Sequence, residues 1–175
     1  MPPSPPEPEG IVTAPIRVGI GYDSHRFGEG HGVLLGGVLI PAAVRCTGHS
    51  DADAVCHALT DAILGGAGIG DIGEMFPDTS AENAGRNSIE MLRLAVQRVR
   101  SAGWMPVQAD VTVIAETPKL GPHRPAMREK LAAALGIEAE DVMVKGKTNE
   151  GMGWIGHGEG LACIAVATLV RTPQG

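Results

Sequence analysis

Residues 48–78 decide how this chain folds, and they read GHSDADAVCHALTDAILGGAGIGDIGEMFPD. Two histidines, five aspartates and a glutamate stand in this stretch, a density of polar groups that no fold requires. Apolar residues recur between them at helical spacing, namely Ala54, Val55, Ala58, Leu59, Ala62 and Ile63. We therefore predict a helix that Ser50 or Asp51 caps at its N-terminus and that the Gly65-Gly66 pair ends.

His57 lies inside the predicted helix, and Asp61 follows it one turn later on the same face. A helical histidine with a carboxylate at i+4 indicates a metal ligand whose second ring nitrogen is held by an acid. The alternative is a surface histidine in an ordinary ion pair, and the pair taken alone favours that interpretation.

A second polar cluster follows the first predicted strand. Asp23 and His25 stand there at i and i+2, so they point to the same side of an extended segment. Together with His57 they would supply two imidazoles and one carboxylate, which suits zinc with one position open to substrate. The alternative is that these groups only cap the end of the strand.

The composition is typical of one globular domain and argues against nucleic-acid binding. The chain has 175 residues, a net charge of −6 and only 3% aromatic residues, whereas nucleic-acid binding needs basic surface and stacking side chains. Residues 1–15 hold six of the thirteen prolines, so we predict a disordered tail there and a single catalytic domain over residues 16–171. No apolar run reaches membrane-spanning length, and we expect a cytoplasmic location without membrane contact.

Alternating patterns predict an α/β (α+β) fold, a mixed β-sheet with helices covering one face. Strands are expected over residues 16–22, 109–115, 142–144 and 160–170, with a hairpin over residues 33–41 that turns at Gly36-Gly37. A polar loop should occupy residues 65–86. Because one chain lacks the elements to cover the second sheet face, we expect an oligomer.

Two further helices are predicted from their end signals. Asn87 should cap one helix with Glu90 at its third position, and Gly103 should close it. Pro122 or Pro125 should start the other, with Met127, Leu131 and Leu135 facing inward and Gly136 stopping it.

Two loops have the composition of anion sites. Residues 68–73 are rich in glycine and so offer backbone amides to a phosphate. Residues 145–153 combine two lysines, a hydroxyl, an amide and a carboxylate, which suits a phosphate and, through Glu150, a magnesium ion. A solvated charged turn explains the second loop equally well.

Five segments together closely resemble the 2-C-methyl-D-erythritol 2,4-cyclodiphosphate synthase family, the cyclising enzymes of the non-mevalonate isoprenoid pathway. They are RVGIGYDSHRF (17–27), GHSDADAVCHALTDA (48–62), GDIG (70–73), FPDT (76–79) and GEG (158–160). The likeness runs in order from about Ile16 to Val170. It implies a homotrimer whose sheets pack around a threefold axis, with active sites between neighbouring subunits.

The resemblance also implies roles for individual residues. It makes Asp23, His25 and His57 ligands of one Zn²⁺ per subunit and Glu150 the ligand of a Mg²⁺ or Mn²⁺ that bridges the diphosphate, with His49 and Thr148 as the catalytic pair beside the reacting phosphates. The implied substrate-binding residues are Asp23, His25, His49, Ser50, Asp71, Ile72, Gly73, Phe76, Pro77, Asp78, Thr79, Ser80, Ala115, Glu116, Thr117, Pro118, Lys119, Leu120, Gly121, Lys147, Thr148, Asn149, Glu150, Trp154 and His157. Residues 115–121 would form the pocket for cytosine and ribose. Two positions depart from the family, with Lys147 in place of threonine and His157 in place of arginine.

The implied reaction is the cyclisation of 4-diphosphocytidyl-2-C-methyl-D-erythritol 2-phosphate with release of CMP. The substrate 2-phosphate attacks the β-phosphate of its own diphosphate, so no nucleophilic side chain is needed. Two other functions stay open on the residues alone. One is a zinc hydrolase with Asp61 or Asp71 as base, and the other is a non-catalytic nucleotide- or isoprenoid-binding trimer.

Overall fold

The computed structural model of the chain describes residues 15–77 and 79–172. The tail predicted over residues 1–15 lies outside the described residues except for Pro15. The elements, in chain order, are β1 Ile16–Glu29, β2 Val33–Leu35, β3 Val38–Ile40, β4 Val44–Thr47, α1 Ala54–Ala67, α2 Ile72–Met75, α3 Ser88–Ser101, β5 Trp104–Ile114, α4 Arg124–Leu135, β6 Val142–Lys147, α5 Gly153–Gly156 and β7 Gly160–Arg171. None of the helices in these two ranges is long and apolar enough to span a membrane.

The central sheet has five strands in the order β4-β1-β7-β5-β6. Neighbouring strands are antiparallel except β5 and β6, which are parallel, so the sheet is mixed as predicted. The predicted hairpin forms separately from β2 and β3 and turns at Gly36 and Gly37, which both adopt positive φ. Sequence patterns thus identified every strand of the central sheet except β4, although β1 and β5 extend well beyond the predicted bounds.

One face of the sheet is packed against α1, and two glycines of β1 make this close contact possible. A Cβ built on Gly19 would lie 1.9 Å from the carbonyl oxygen of Ala62, and one on Gly21 would lie 1.8 Å from that of Ala58. Any larger residue would push the helix away from the strand. The odd-numbered residues of β1 therefore face α1.

The opposite face of the sheet is apolar, and none of the described residues of the chain covers it. The side chains of Ile16, Val18, Ile20 and Tyr22 are between 56% and 70% exposed there. Among the residues of β7, Leu161, Cys163, Ala165, Ala167 and Leu169 are buried under the helices. The helices thus cover one face of the sheet, as predicted.

Both ends of α1 differ from the prediction. The helix is capped by Asp53, whose carboxylate accepts hydrogen bonds from the amides of Val55 and Cys56. It continues through Gly65 and Gly66 to Ala67, and Gly68 caps it in the left-handed conformation. Gly66 does not end the helix because it packs against the sheet, where a Cβ added to it would lie 2.7 Å from Cδ1 of Leu169.

The segment predicted as a polar loop over residues 65–86 is partly helical. It contains the last turn of α1, the short α2 and a 3₁₀ turn over Ala81–Asn83. The predictions for α3 and α4 are confirmed, with Asn87 accepting a hydrogen bond from the Glu90 amide and Gly136 capping α4 in the left-handed region.

Candidate metal centre and substrate clefts

The three predicted zinc ligands lie together where β1 passes under α1. Asp23 and His25 belong to the face of β1 that contacts the helix, and His57 projects from the first turns of α1 toward them. Asp23 Oδ2 is 2.9 Å from His25 Nε2 and 3.0 Å from His57 Nδ1, and the two ring nitrogens are 3.3 Å apart. Asp23 and His25 lie inside the long strand β1 and not after its end, which corrects the prediction from the sequence.

The spacing of these three atoms fits a metal ion. In a tetrahedral site with bonds of about 2.0–2.1 Å, ligand atoms lie about 3.3 Å from one another. The observed separations of 2.9–3.3 Å are close to that value. Two imidazole nitrogens and one carboxylate oxygen are also the donor set of open zinc sites. Asp23, His25 and His57 form the group of described residues that can hold a metal ion.

The charges in this cluster reinforce one another. Burial by itself would raise the pKa of Asp23, but hydrogen bonds and charge from His25 and His57 lower that pKa to about 2. Burial would lower the pKa of His57, but the hydrogen bond and charge of Asp23 raise it instead. The Asp23 carboxylate therefore stays ionised, as a metal ligand must be.

The acid expected to hold the second nitrogen of His57 is not Asp61. Asp61 Oδ1 accepts a hydrogen bond of 2.8 Å from the amide of Ile72, which ties α1 to α2. His57 Nε2 instead lies 2.9 Å from Oγ of Ser50 and 2.8 Å from Oγ of Ser88. Ser88 belongs to α3, thirty-one residues along the chain from His57, and no local sequence signal identifies that contact.

Asp53 fixes the start of α1 beneath the cluster. Its fully buried carboxylate accepts two cap hydrogen bonds from α1 and two more from the β2–β3 turn, at 2.8 Å from the Gly36 amide and 2.6 Å from the Gly37 amide. Its carbonyl oxygen accepts from the His57 amide at 3.1 Å. No sequence pattern singled out Asp53, although it is the residue that anchors the helix bearing His57.

A cleft of about 260 Å³ opens over the metal cluster. Of the predicted site residues, Asp23, His25, His49, Ser50, His57, Ile72, Gly73 and Phe76 line it. Tyr22, Asp61, Asn83 and Met91 line it as well and were not predicted as substrate-binding residues.

The loop after α1, which the sequence predicts to bind substrate, is held near this cleft by local hydrogen bonds. Asp71 caps α2 by accepting from the Glu74 amide, and the Pro77 carbonyl accepts from both the Ser80 amide and the Asn83 side chain. Thr79 is exposed and Ser80 is half-buried. The predicted role of Asp78 falls on a residue outside the described ranges.

A second cleft, of about 300 Å³, lies where β5 and β6 end. It is lined by Ala115, Pro118, Lys119, Leu120, Gly121, Lys147 and Thr148 from the predicted cytidine and phosphate loops. No lining residue is shared with the first cleft. In the sheet, His25 of β1 pairs with Leu161 of β7 and Ile114 of β5 pairs with Ala162, so both clefts open at the same end of the sheet.

Two acids shape the loop beside the second cleft. Glu116 Oε1 accepts hydrogen bonds from the amides of Asn149 and Gly151, so Glu116 faces the loop. Glu150 is exposed, has a positive φ of 53°, and accepts a 2.8 Å hydrogen bond from the Thr148 hydroxyl. Within the described residues, the structure does not bring Glu150 into the Asp23–His25–His57 group.

Three other predicted residues lie outside both clefts. Thr117 is exposed beside Pro118, next to the second cleft. Trp154, in α5, is 42% exposed, and His157 follows the same helix on the surface. Neither Trp154 nor His157 lines either cleft.

Comparisons with known proteins agree over nearly the whole described chain. The sequence profile of the YgbB family matches residues 16–170. A 2-C-methyl-D-erythritol 2,4-cyclodiphosphate synthase of Gemmatimonas aurantiaca is 61% identical over 155 residues, which cover 89% of this chain and 93% of that protein. A protein of the same name from Neisseria meningitidis is 53% identical over 156 residues, which cover 89% of this chain and 98% of that protein.

Solved structures show the same fold. The bifunctional IspDF of Campylobacter jejuni superposes with a TM-score of 0.88 at 40% identity, covering 91% of this chain and 43% of that protein. A CDP-bound 2C-methyl-D-erythritol-2,4-cyclodiphosphate synthase superposes with a TM-score of 0.80 at 40% identity, covering 87% of this chain and 99% of that one. The mixed sheet with helices on one face is thus the architecture of these enzymes.

Proposed function

Because the chain belongs to the YgbB family, we propose that it cyclises 4-diphosphocytidyl-2-C-methyl-D-erythritol 2-phosphate to 2-C-methyl-D-erythritol 2,4-cyclodiphosphate and releases CMP. Its close relatives bear the name of a lyase of isoprenoid biosynthesis, and the chain is an enzyme of that class, a phosphorus–oxygen lyase. The observation that carries the proposal is the convergence of Asp23, His25 and His57 at a cleft bordered by the predicted substrate loop.

The reaction is an exchange of one phosphorus–oxygen bond for another. An oxygen of the 2-phosphate attacks the β-phosphorus, and the bond from that phosphorus to the oxygen bridging the two phosphates breaks. CMP leaves with the bridging oxygen, and the ring closes between the two remaining phosphates. Electrons stay paired throughout, so neither oxidant nor reductant takes part.

Bringing two anionic phosphates together is the main physical barrier, and cationic groups lower it. A zinc ion held by Asp23, His25 and His57, and a magnesium or manganese ion held by Glu150, would supply positive charge that draws the phosphate oxygens together. His49 lines the first cleft and Thr148 lines the second, and each would donate a hydrogen bond to the charge that develops. Ser50, which follows His49 in the sequence, would contact the same phosphate as His49.

The remaining residues orient a long and flexible substrate. The loop over residues 71–80 would enclose the methylerythritol end, with Phe76 as its buried apolar contact. The loop over residues 115–121, with Lys119 and the backbone beside Pro118, would hold cytosine and ribose in the second cleft. Lys147, which lines that cleft, and Asn149 beside it would contact the diphosphate, and Trp154 and His157 would complete the proposed contacts.

The uncovered sheet face supports a homotrimer. The exposed side chains of Ile16, Val18, Ile20 and Tyr22 form an apolar surface that a second and third copy would bury. The active site would then lie between neighbours, with the metal cleft of one chain facing the cytidine cleft of the next. The cytoplasmic location expected from the sequence stays a prediction.

The proposal is tested by measuring CMP release from the cytidyl substrate before chelation, after chelation and after zinc is restored. His57→Ala should abolish release and lose bound zinc, whereas His31→Ala, at an exposed histidine of the β1–β2 turn, should retain both. Full activity in zinc-free His57→Ala protein would refute the role of the cluster. Release of inorganic phosphate in place of CMP would favour a hydrolase.

A further inference from the structure

The side of His57 that faces away from the metal cluster is organised by residues of another helix. His57 Nε2 lies 2.8 Å from the hydroxyl of Ser88, the first residue of α3, which is completely buried. The Ser50 hydroxyl lies 2.9 Å from the same nitrogen, but Ser50 lines the cleft. Ser88 is therefore the partner of His57 that solvent does not reach.

The direction of the Ser88 hydrogen bond is set by Asp51. The Ser88 hydroxyl donates a hydrogen bond to Oδ1 of Asp51, and the Ser88 amide donates to Oδ2 at 2.9 Å. An ionised carboxylate only accepts hydrogen bonds, and a serine hydroxyl has a single proton to donate. Because that proton points to Asp51, the oxygen of Ser88 presents a lone pair to Nε2 and accepts from it.

We propose that Asp51 and Ser88 form a relay that keeps the proton of His57 on Nε2 and so leaves Nδ1 free to bind the metal. The inference rests on the proposed metal site, because Nδ1 is the nitrogen that lies 3.0 Å from Asp23 and 3.3 Å from His25. Asp51 and Ser88 are positioning residues, since neither lines the cleft. Such partners of a metal-binding histidine set its tautomer and ring orientation, and losing them lowers metal affinity about 10–100-fold.

The relay also explains why Asp51, one of the two caps predicted from the sequence, does not cap α1. Its carboxylate accepts from the amide and hydroxyl of Ser88, thirty-seven positions along the chain, and its Oδ1 also accepts from the Asp53 amide at 3.4 Å. Asp53 caps the helix in its place. Two neighbouring acids thus have separate tasks, one anchoring the helix that bears His57 and the other orienting the ring of His57.

Asp51→Asn reverses the direction of the hydrogen bond between residue 51 and the Ser88 hydroxyl, with little change in the shape of the side chain. If the amide oxygen keeps the hydrogen bond from the Ser88 backbone, the amide nitrogen faces the Ser88 hydroxyl and donates to it. The hydroxyl proton must then turn toward Nε2 of His57, where it competes with the ring proton. Ser88→Ala removes the acceptor altogether. Asn87→Ala is the matched control, because it loosens the same start of α3 by removing only the cap on the Glu90 amide.

Two measurements on the three variants test the relay. The first is the zinc dissociation constant, obtained by competition with a chromophoric chelator, with far-UV circular dichroism as the check on folding. The second is the exchange rate of the His57 Nε2 proton with water, measured by NMR on nitrogen-labelled, metal-free protein. We expect Asp51→Asn and Ser88→Ala to weaken zinc binding at least about tenfold and to speed exchange of that proton, and Asn87→Ala to match the wild type in both.

The two measurements separate the relay from the metal site. Wild-type zinc affinity together with a protected Nε2 proton in Asp51→Asn and Ser88→Ala overturns the relay. A protected proton in both variants overturns it even where zinc affinity falls. If the wild-type protein shows the protected proton and the variants lose it, the relay stands even where no zinc binds, and in that case the proposed metal site fails.

Discussion

Asp53 joins the helix that carries His57 to the β2–β3 hairpin, and Asp53→Asn tests how much that junction contributes to stability. Oδ1 of Asp53 accepts from the amides of Gly36, Val55 and Cys56 at 2.8–3.1 Å, and Oδ2 accepts from Gly37 at 2.6 Å. Asparagine has only one oxygen at this position. If that oxygen keeps the three bonds of Oδ1, the amide nitrogen meets the Gly37 N–H, and two donors face each other.

The expected loss is about 2–4 kcal/mol in the free energy of unfolding. A hydrogen bond to a charged acceptor contributes about 1.5–3 kcal/mol and a neutral one about 0.5–1.5 kcal/mol, so one bond is lost and three are weakened. Relief from burying a charge offsets part of that sum. Because a folded protein is stable by only about 5–15 kcal/mol, the variant should fold but unfold at clearly lower denaturant concentration.

The assay is equilibrium unfolding in urea, followed by circular dichroism with excess chelator, so that metal binding does not contribute, and at one protein concentration, so that assembly contributes equally to each protein. Asn87→Ala is the control, since Asn87 is an exposed helix cap that accepts only from the Glu90 amide. It should cost about 1 kcal/mol, the usual effect of losing a cap.

A loss of stability in Asp53→Asn no larger than that in Asn87→Ala would contradict this expectation. That result would mean that the four hydrogen bonds to a fully buried carboxylate contribute no more than a single exposed cap. It would also remove the explanation offered for the fixed position of His57, whose amide donates to the Asp53 carbonyl.

Three further predictions concern metals, protons and assembly. Glu150→Gln should raise the magnesium concentration needed for half-maximal CMP release, whereas Glu140→Gln, at an exposed acid of a 3₁₀ turn, should not; an unchanged requirement in Glu150→Gln would exclude the carboxylate as a metal ligand. Burial would lower the pKa of His57, but Asp23 raises it above the unfolded value of about 6.5. Protonated His57 therefore stabilises the metal-free fold. This contribution is fully present below the unfolded pKa and is lost as pH rises through the folded pKa. Zinc must displace this proton, so its affinity should rise with pH and calorimetry in buffers of different ionisation enthalpy should show proton release; heats independent of the buffer would contradict this. Finally, His57→Ala and Ala115→Trp proteins refolded together in equal amounts should recover about a quarter of wild-type CMP release, because random mixing pairs an intact metal cleft with an intact cytidine cleft at that fraction of interfaces; no recovery from verified mixed trimers would mean that each chain holds a complete site.

Local patterns were sufficient to predict most of the helices and strands and to group the candidate metal ligands, but they missed β4, α2 and α5 and put Asp23 and His25 after β1 instead of within it. The i, i+2 spacing of Asp23 and His25 requires that both side chains leave the strand on one side, whatever the rest of the fold does. The apolar stripe of α1 likewise fixes which side of that helix packs on the sheet. The meeting of His57 with Asp23 and His25 follows from these two facts once the helix lies on the strand.

Contacts between distant segments decided what the sequence could not. Sequence patterns predicted Ser50 or Asp51 as the cap of α1. Asp53 takes that role because it also accepts from Gly36 and Gly37 of the β2–β3 turn, while Asp51 accepts from Ser88. Gly66 continues the helix because Gly19 and Leu169 pack against it. The role of Ser88 could not be predicted for the same reason, because Ser88 contacts His57 only where α3 packs beside α1.

The most direct test of the central claim is a ³¹P NMR spectrum of the products formed from 4-diphosphocytidyl-2-C-methyl-D-erythritol 2-phosphate by the zinc- and magnesium-loaded protein. A cyclase should give two mutually coupled phosphorus signals of a cyclic diphosphate together with an equimolar CMP signal. Inorganic phosphate in place of the cyclic product, or substrate that stays unchanged after long incubation, would contradict the proposed function.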